Sequence, residues 1–302
     1  MKINAIDLLA AQREALLAPA EEREEIYSER VMEPWRSMWE SMLARMSPAG
    51  GNGEAAPLMN AARMFGYYLP EHGVERGLAA LDVLERAGTW EACQRALEIA
   101  AEALKPEEHG IALEQVQLSV VLMNPEMALQ NEKAQGYSGF GSVPGYVMVT
   151  VWPNDYNVPR LPSAAAHEFN HNVRLSYEPW SQETSVGQYV VLEGLAESFA
   201  GELFGSDKVG PWTQLPTEAD MELARTRIRE GLEVTGFNEI RGYIFGDWAA
   251  AAMGYTPQGL PDFAGYSIGY HIVQAYMQRT GRTAAEATYL PWREIVEESR
   301  YL

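Results

Sequence analysis

The sequence predicts a mostly helical α+β fold, and three observations carry that prediction. Apolar residues recur three and four apart over long stretches of the first third. Two short β-like segments follow. From Pro162 the helical spacing returns almost to the last residue. At 302 residues the chain can form one large domain or two modest ones. With 47% hydrophobic and 22% charged residues, disorder over the whole chain is excluded as the leading description.

The spacing predicts helices within 5–17, 26–46 and 74–104. The opening segment is not expected to be a signal peptide, because its apolar run is broken by Gln12, Arg13 and Glu14. "SPAGGNGEAAP" (47–57) is rich in Gly and Pro and predicts an exposed loop. Cys93 is the single cysteine, so neither an intramolecular disulfide nor a thiolate metal cage can form, which fits a reducing cytoplasm. It sits in "TWEACQRALEIAAEALK", an amphipathic pattern that predicts a packed or half-buried thiol.

The pattern changes after "KPEEHG" (105–110), which suggests an N-terminal helical region, 1–110, and a second region, 111–302, able to pack as one compact unit. "VQLSVVLM" (116–123) opens with Val116, Leu118, Val120 and Leu122 on one face and Gln117 and Ser119 on the other, as in a half-buried strand. "GYVMVTVW" (145–152), bounded by Pro144 and Pro153, predicts a second strand. The stretch between them, "NEKAQGYSGFGSVPG" (131–145), is turn-like and predicts a mobile loop bordering a cleft. Its "GYSGFG" is no phosphate loop. It lacks the Gly-x-x-x-x-Gly-Lys-Ser/Thr pattern and leads into a strand, so no helix N-terminus is available to hold an anion.

A formal charge of −19 disfavours nucleic acid and anionic membranes as partners and weakly favours a cationic or neutral substrate. No stretch approaches eighteen uninterrupted apolar residues, so no membrane span is expected and a cytoplasmic location is.

"LPSAAAHEFNHNVRL" reads as a helix opening at Pro162. It carries two of the five histidines four positions apart. On a helix, His167 and His171 share a face and can converge on one ion. Glu168 lies about 100° around the axis from His167. Its carboxylate can reach a water on the metal without being forced to ligate it, which is the reason for the H-E-x-x-H spacing. A catalytic zinc needs a third protein ligand beside an open position. His72, His109, His271 or a later carboxylate are the candidates.

"SVGQYVVLEGLAESFAGELFG" (185–205) is apolar nearly all round, as a buried helix is, and its acids are Glu193, Glu197 and Glu202. Val186, Val190, Glu193, Glu197, Ala200 and Phe204 share one stripe. Carboxylates set into an apolar ridge need compensation, and a divalent cation supplies it. Glu193 is therefore the expected third ligand, with Glu197 one turn on, hydrogen-bonded to a histidine ring N–H.

H-E-x-x-H followed by an acid in "LEGLAE" resembles the gluzincin metallopeptidases, whose third ligand is a glutamate in sequences similar to Asn-Glu-Gly-Phe-Ala or Asn-Glu-x-x-x-Asp. Glu193 matches the ligand position, Glu197 matches the supporting acid, and Leu192 stands where those patterns have Asn. The chain is more similar to the YjaZ-like predicted Zn-dependent proteases of bacteria, in the H-E-x-x-H helix, in "EGLAESF" and in "GYSIGYHIVQAY" (265–276), over roughly residues 110 to 300. The resemblance implies a gluzincin-like core with a small sheet beside the zinc-site helix, flanked by N-terminal and C-terminal helices. It also implies Zn2+ as cofactor and a peptide or protein as substrate.

By the family's Gly-Tyr-x-x-Gly motif, Tyr266 is the expected oxyanion donor, with His271 as the alternative and Tyr270 as a core aromatic. The expected reaction is zinc-dependent hydrolysis of peptide bonds, with Glu168 as general base. The chain lacks the Gly-x-Met-Glu-Asn signature of zinc aminopeptidases, which favours an endopeptidase or oligopeptidase. The strand at 145–152 is expected to pair with an extended substrate. Two alternatives use the same residues: a zinc hydrolase acting on a non-peptide bond, and a helical interaction protein whose metal site is structural or vestigial.

Overall fold

A computed structural model of the chain describes residues 1–46, 58–127 and 133–302. The loop expected at 47–57 lies outside the described residues, as does the start of the stretch 131–145. The chain folds into two compact units. The first is Met1–Glu98 with Glu114–Ala165, and the second is Ile99–Leu113 with Ala166–Leu302. The strands of the 116–152 region thus group by contact with the N-terminal helices, whereas the sequence division at 110 placed them with the later ones.

The first unit opens with strand β1 (Lys2–Ala5) and helix α1 (Leu8–Leu17). Asp7 caps α1 by accepting the Ala10 N–H at 2.9 Å, which fixes where the expected 5–17 helix begins. Helices α2 (Arg23–Tyr27), α3 (Arg36–Met46), α4 (Leu58–Met64) and α5 (Val74–Arg86) follow. Helix α6 (Thr89–Leu104) runs from this unit into the second, and Gly88, at φ +61°, makes the break that separates it from α5. Cys93 is fully buried in α6, and burial pushes its thiol up to about 12.

Strands β2 (Gln115–Leu122), β3 (Tyr137–Phe140) and β4 (Tyr146–Val151) complete a four-stranded sheet in the order β1-β2-β4-β3. β2 runs parallel to both β1 and β4, and β3 runs antiparallel to β4. β2 was expected to be half-buried. It is buried on both faces from Leu118 onward, as an internal parallel strand is, and Ser119 is accommodated by donating to the Ile6 carbonyl. Two further expectations are corrected. The turn-like stretch 131–145 contains β3, so its "YSGF" is an edge strand rather than part of a loop. β4 pairs on both edges, which leaves it no ladder with which to bind a substrate strand.

Gln12, which looked like an interruption of an apolar run, is 1% exposed and fills a gap in this sheet. β1 ends opposite Leu118. Beyond it, the Gln12 amide accepts from the Leu122 N–H at 2.7 Å and donates to the Leu122 carbonyl at 3.1 Å. A side chain thus replaces a missing strand partner.

The second unit is helical. It contains the body of α7 (Leu161–Tyr177), then α8 (Val186–Phe204), α9 (Glu218–Gly231), α10 (Phe237–Phe245), α11 (Asp247–Met253), α12 (Ala264–Thr280), α13 (Ala284–Ala287) and α14 (Trp292–Ser299). Its core joins Val190 and Leu195 of α8 to Ile268 and Ile272 of α12 and to Trp292 and Ile295 of α14. Among the described residues, no helix is long and apolar enough to cross a membrane.

Candidate metal centre

The site is built within the second unit on α7, α8 and α12. α8 starts in a capping box, in which Ser185 and Gln188 each bond the other's backbone N–H, and it is buried almost throughout Val186–Ala200. It crosses α12 at a pair of glycines. A Cβ on Gly194 would lie 2.1 Å from the Gly269 carbonyl oxygen, and one on Gly269 would lie 2.0 Å from the Val190 carbonyl oxygen. Only hydrogen fits at either position, so the two backbones touch. This contact fixes Glu193, next to Gly194, and Tyr266, one turn before Gly269.

α7 is held in register by polar side chains that are themselves buried. Asn170 donates to Thr288 Oγ1 at 2.9 Å, and Arg174 donates to the carbonyls of Thr288 and Leu290 at 2.8 and 2.6 Å while pairing with Glu178. These anchors leave His167 and His171 on the face turned toward α8.

The three predicted ligand atoms form a triangle. His167 Nε2 and His171 Nε2 are 3.1 Å apart, and Glu193 Oε2 lies 3.4 Å from the first and 3.3 Å from the second. A tetrahedral ion with bonds of about 2.0–2.1 Å needs its donor atoms about 3.3 Å apart. Glu193 Oε2 is buried without a hydrogen-bond partner, which a protein leaves only where something else compensates it. His167, Glu168 and His171 also form a group whose ligand atoms lie within 4.8 Å of one another, so Glu168 shares the chamber. Among the described residues, Glu193 is the carboxylate within 4.0 Å of both rings.

Glu197 Oε2 lies 3.0 Å from His167 Nδ1. The contact is off the line of a good ring N–H hydrogen bond, since Nδ1 has no aligned partner. Two donors hold this carboxylate: the Gly210 N–H at 2.5 Å and the Trp212 indole N–H at 2.7 Å. The sequence reading missed both. The signal was present as "GPWT" (210–213), where an indole N–H stands beside a loop glycine, but nothing local connects it to a glutamate thirteen residues earlier.

Three buried carboxylates face two imidazoles, so the cluster is short of positive charge. Burial is the largest influence on Glu193 and pushes it up, but the close contacts and charges of His171 and His167 outweigh it and hold the carboxyl at about 2. His167 is likewise pushed down by burial, yet Glu193 and Glu197 raise it well above the ordinary histidine value. Burial raises Glu168, and the neighbouring histidines offset part of that. Such a donor set, two ring nitrogens and a carboxylate oxygen with surplus negative charge, fits a divalent cation of the zinc type.

The other predicted residues separate. Tyr266 packs among Trp212, Phe263 and Phe245, at centroid distances of 6.0, 5.8 and 5.9 Å. Burial raises its phenol well above the usual value, and the charges of Glu193 and Glu168 add to this, which puts it within electrostatic reach of the cluster. His271 stacks on Tyr301 with centroids 5.8 Å apart, and burial depresses it, with the Thr213 backbone offsetting part of the shift. His72 accepts the Leu69 N–H, and His109 stacks on Tyr289 with centroids 3.6 Å apart. Among the described residues, none of these three histidines joins the metal-competent group.

Residues 89–297 match the family described as "Predicted Zn-dependent protease (DUF2268)". The chain belongs to that family. It is 38% identical over 289 residues to "Uncharacterized protein YjfC" of Bacillus subtilis (strain 168), covering 95% of each chain. It is 24% identical over 159 residues to "Uncharacterized protein YjaZ" of the same organism, covering 50% of this chain and 57% of that one. No solved structure matches. The family stretch takes in every residue of the cluster, together with Tyr266 and His271.

Proposed function

We propose that the chain is a zinc-dependent peptidase of gluzincin type, and the observation that carries this reading is the His167–His171–Glu193 triangle with donor separations of 3.1–3.4 Å. The two histidines and Glu193 would hold the ion, and Glu197 would orient the His167 ring. Bound there, zinc supplies Lewis-acid chemistry, acidifying water and polarising a scissile carbonyl.

The protein's own groups do the rest. Glu168 is buried beside both rings and raised by that burial, so it can take a proton from the attacking water and give it to the departing amine. Tyr266 stays protonated through the neutral range and donates to the carbonyl oxygen as charge develops on it. Its placement near Glu193 and Glu168 favours it over His271 for this role. His167, Glu168, His171 and Glu193 are 5–7% exposed, so the site is largely closed to solvent, which suits a peptide or unfolded segment better than a folded surface. The substrate is taken to be a peptide or protein, and the location cytoplasmic.

The test combines metal analysis with cleavage of a peptide library by wild type and Glu168→Gln. The expected result is about one zinc per chain in both, with a drop of at least about a hundredfold in kcat for the variant. Wild-type protein that takes up no zinc would overturn the reading. A zinc-loaded wild type that leaves every peptide intact while hydrolysing another class of bond would replace the peptidase assignment.

A further inference from the structure

Arg241 is a cation without a carboxylate. Many of the other arginines sit against acids, as Arg13 does on Asp82, Arg174 on Glu178, Arg282 on Glu294 and Arg293 on Glu233. Acids are abundant in a chain of charge −19. Yet among the described residues no ion pair or hydrogen bond reaches Arg241, and its Nε is buried with no partner.

Its position is fixed by rings instead. The guanidinium carbon lies 4.1 Å from the centroid of Phe237, 5.2 Å from Tyr255 and 6.0 Å from Phe245. Contact with ring faces steadies a guanidinium without using its N–H groups, which lie in its plane. The fork is therefore preorganised and unspent. Helix α10, which carries it, packs on α8 and α12, the helices that carry Glu193 and Tyr266. Phe245 spans the interval, 6.0 Å from the guanidinium and 5.9 Å from the Tyr266 ring. The Arg241 charge is felt at Tyr189 and Tyr266, the same two phenols that feel Glu193 and Glu168.

We infer that Arg241 is an anion subsite beside the metal centre that binds a carboxylate of the peptide substrate. A bidentate guanidinium–carboxylate pair is the complement of an aromatic-held fork. In a protein whose overall charge repels acidic ligands, a local cation on a helix packed against α8 and α12 is what would discriminate among them. The carboxylate has two sources, the peptide C-terminus and an Asp or Glu side chain. The inference rests on the peptidase reading for the word substrate, while the anion site itself does not.

The test is isothermal titration of the full-length chain in a Glu168→Gln background, zinc-loaded and metal-free, with four peptides. Ala-Ala-Phe as free acid is compared with its amide for the C-terminal source, and Ala-Asp-Phe-amide with Ala-Asn-Phe-amide for the side-chain source. The expected result is a preference of about tenfold for the carboxylate member of at least one pair, falling to within about twofold on Arg241→Met. Arg241→Lys, a point charge without the fork, is expected to retain only part of the preference, and it decides the matter if the methionine variant does not fold. Absence of any carboxylate preference in the parent, or a preference that either substitution leaves unchanged, overturns the inference. Failure of the zinc-loaded wild type to cleave any of the four peptides, with the Arg241-dependent preference intact, would count against the peptidase reading and leave the anion site standing.

Discussion

Glu197 shows how one residue can matter without touching a reacting atom. Its carboxylate is 3% exposed, held by Gly210 and Trp212 on one side and presented to His167 Nδ1 on the other. Replacing it by Gln keeps the shape but removes the charge and adds two N–H groups where donors already point. Glu197→Gln is expected to lower zinc affinity by about 10–100-fold, as loss of a supporting carboxylate commonly does. A chelator competition titration reads this directly, and an unchanged affinity would reduce Glu197 to a packing role. At this scale the sequence was informative wherever one helix carries the pattern. His167, Glu168 and His171 share α7, and Glu193 and Glu197 share α8, so the helical repeat alone aligns them. Trp212 was illegible because it reaches Glu197 from a separate segment, and an isolated Trp has no period to betray it.

Between elements, the decisive contact is the glycine crossing of α8 and α12. A methyl group on Gly194 would need the space of the Gly269 carbonyl, and neither backbone can yield locally. Gly194→Ala is expected to cost about 1–3 kcal/mol by overpacking. Because Glu193 is the adjacent residue, the same change should spread the ligand triangle. Urea unfolding and zinc titration are expected to fall together, and a variant with full stability and full zinc affinity would show that the helices have room to part. Gly269 closes the Gly-Tyr-x-x-Gly motif, but nothing in that motif names Gly194 as its partner. The sheet was legible in its long members and not in its short ones. β2 and β4 carry β-branched runs, whereas β1 is four residues of mixed character and β3 contains a glycine. The role of Gln12 was hidden for a related reason. The Leu122 backbone it bonds lies 110 residues further on, so nothing local connects the two.

For the molecule as a whole, the two units are interleaved in sequence. Residues 99–113 belong with the later helices, and 114–165 belong with the earlier ones. A fragment cut at the apparent boundary, 111–302, would lose β1 from the sheet. It would also lose Leu104 and His109, which hold Tyr289 by a 2.6 Å hydrogen bond and a stacked ring. Such a fragment is expected to bind the dye ANS and to lack a cooperative thermal transition by circular dichroism, in contrast to the full chain. A sharp transition in the fragment would show that 111–302 folds alone.

The parallel pairing of β1 with β2 also sets an order of events during synthesis. Lys2–Ala5 leaves the ribosome before its partner, which begins at Gln115 and emerges more than a hundred residues later. At about 5–20 residues per second, β1 waits several seconds or more with both edges unpaired. These four residues therefore need shielding for that interval, although in the finished protein they form a short edge strand.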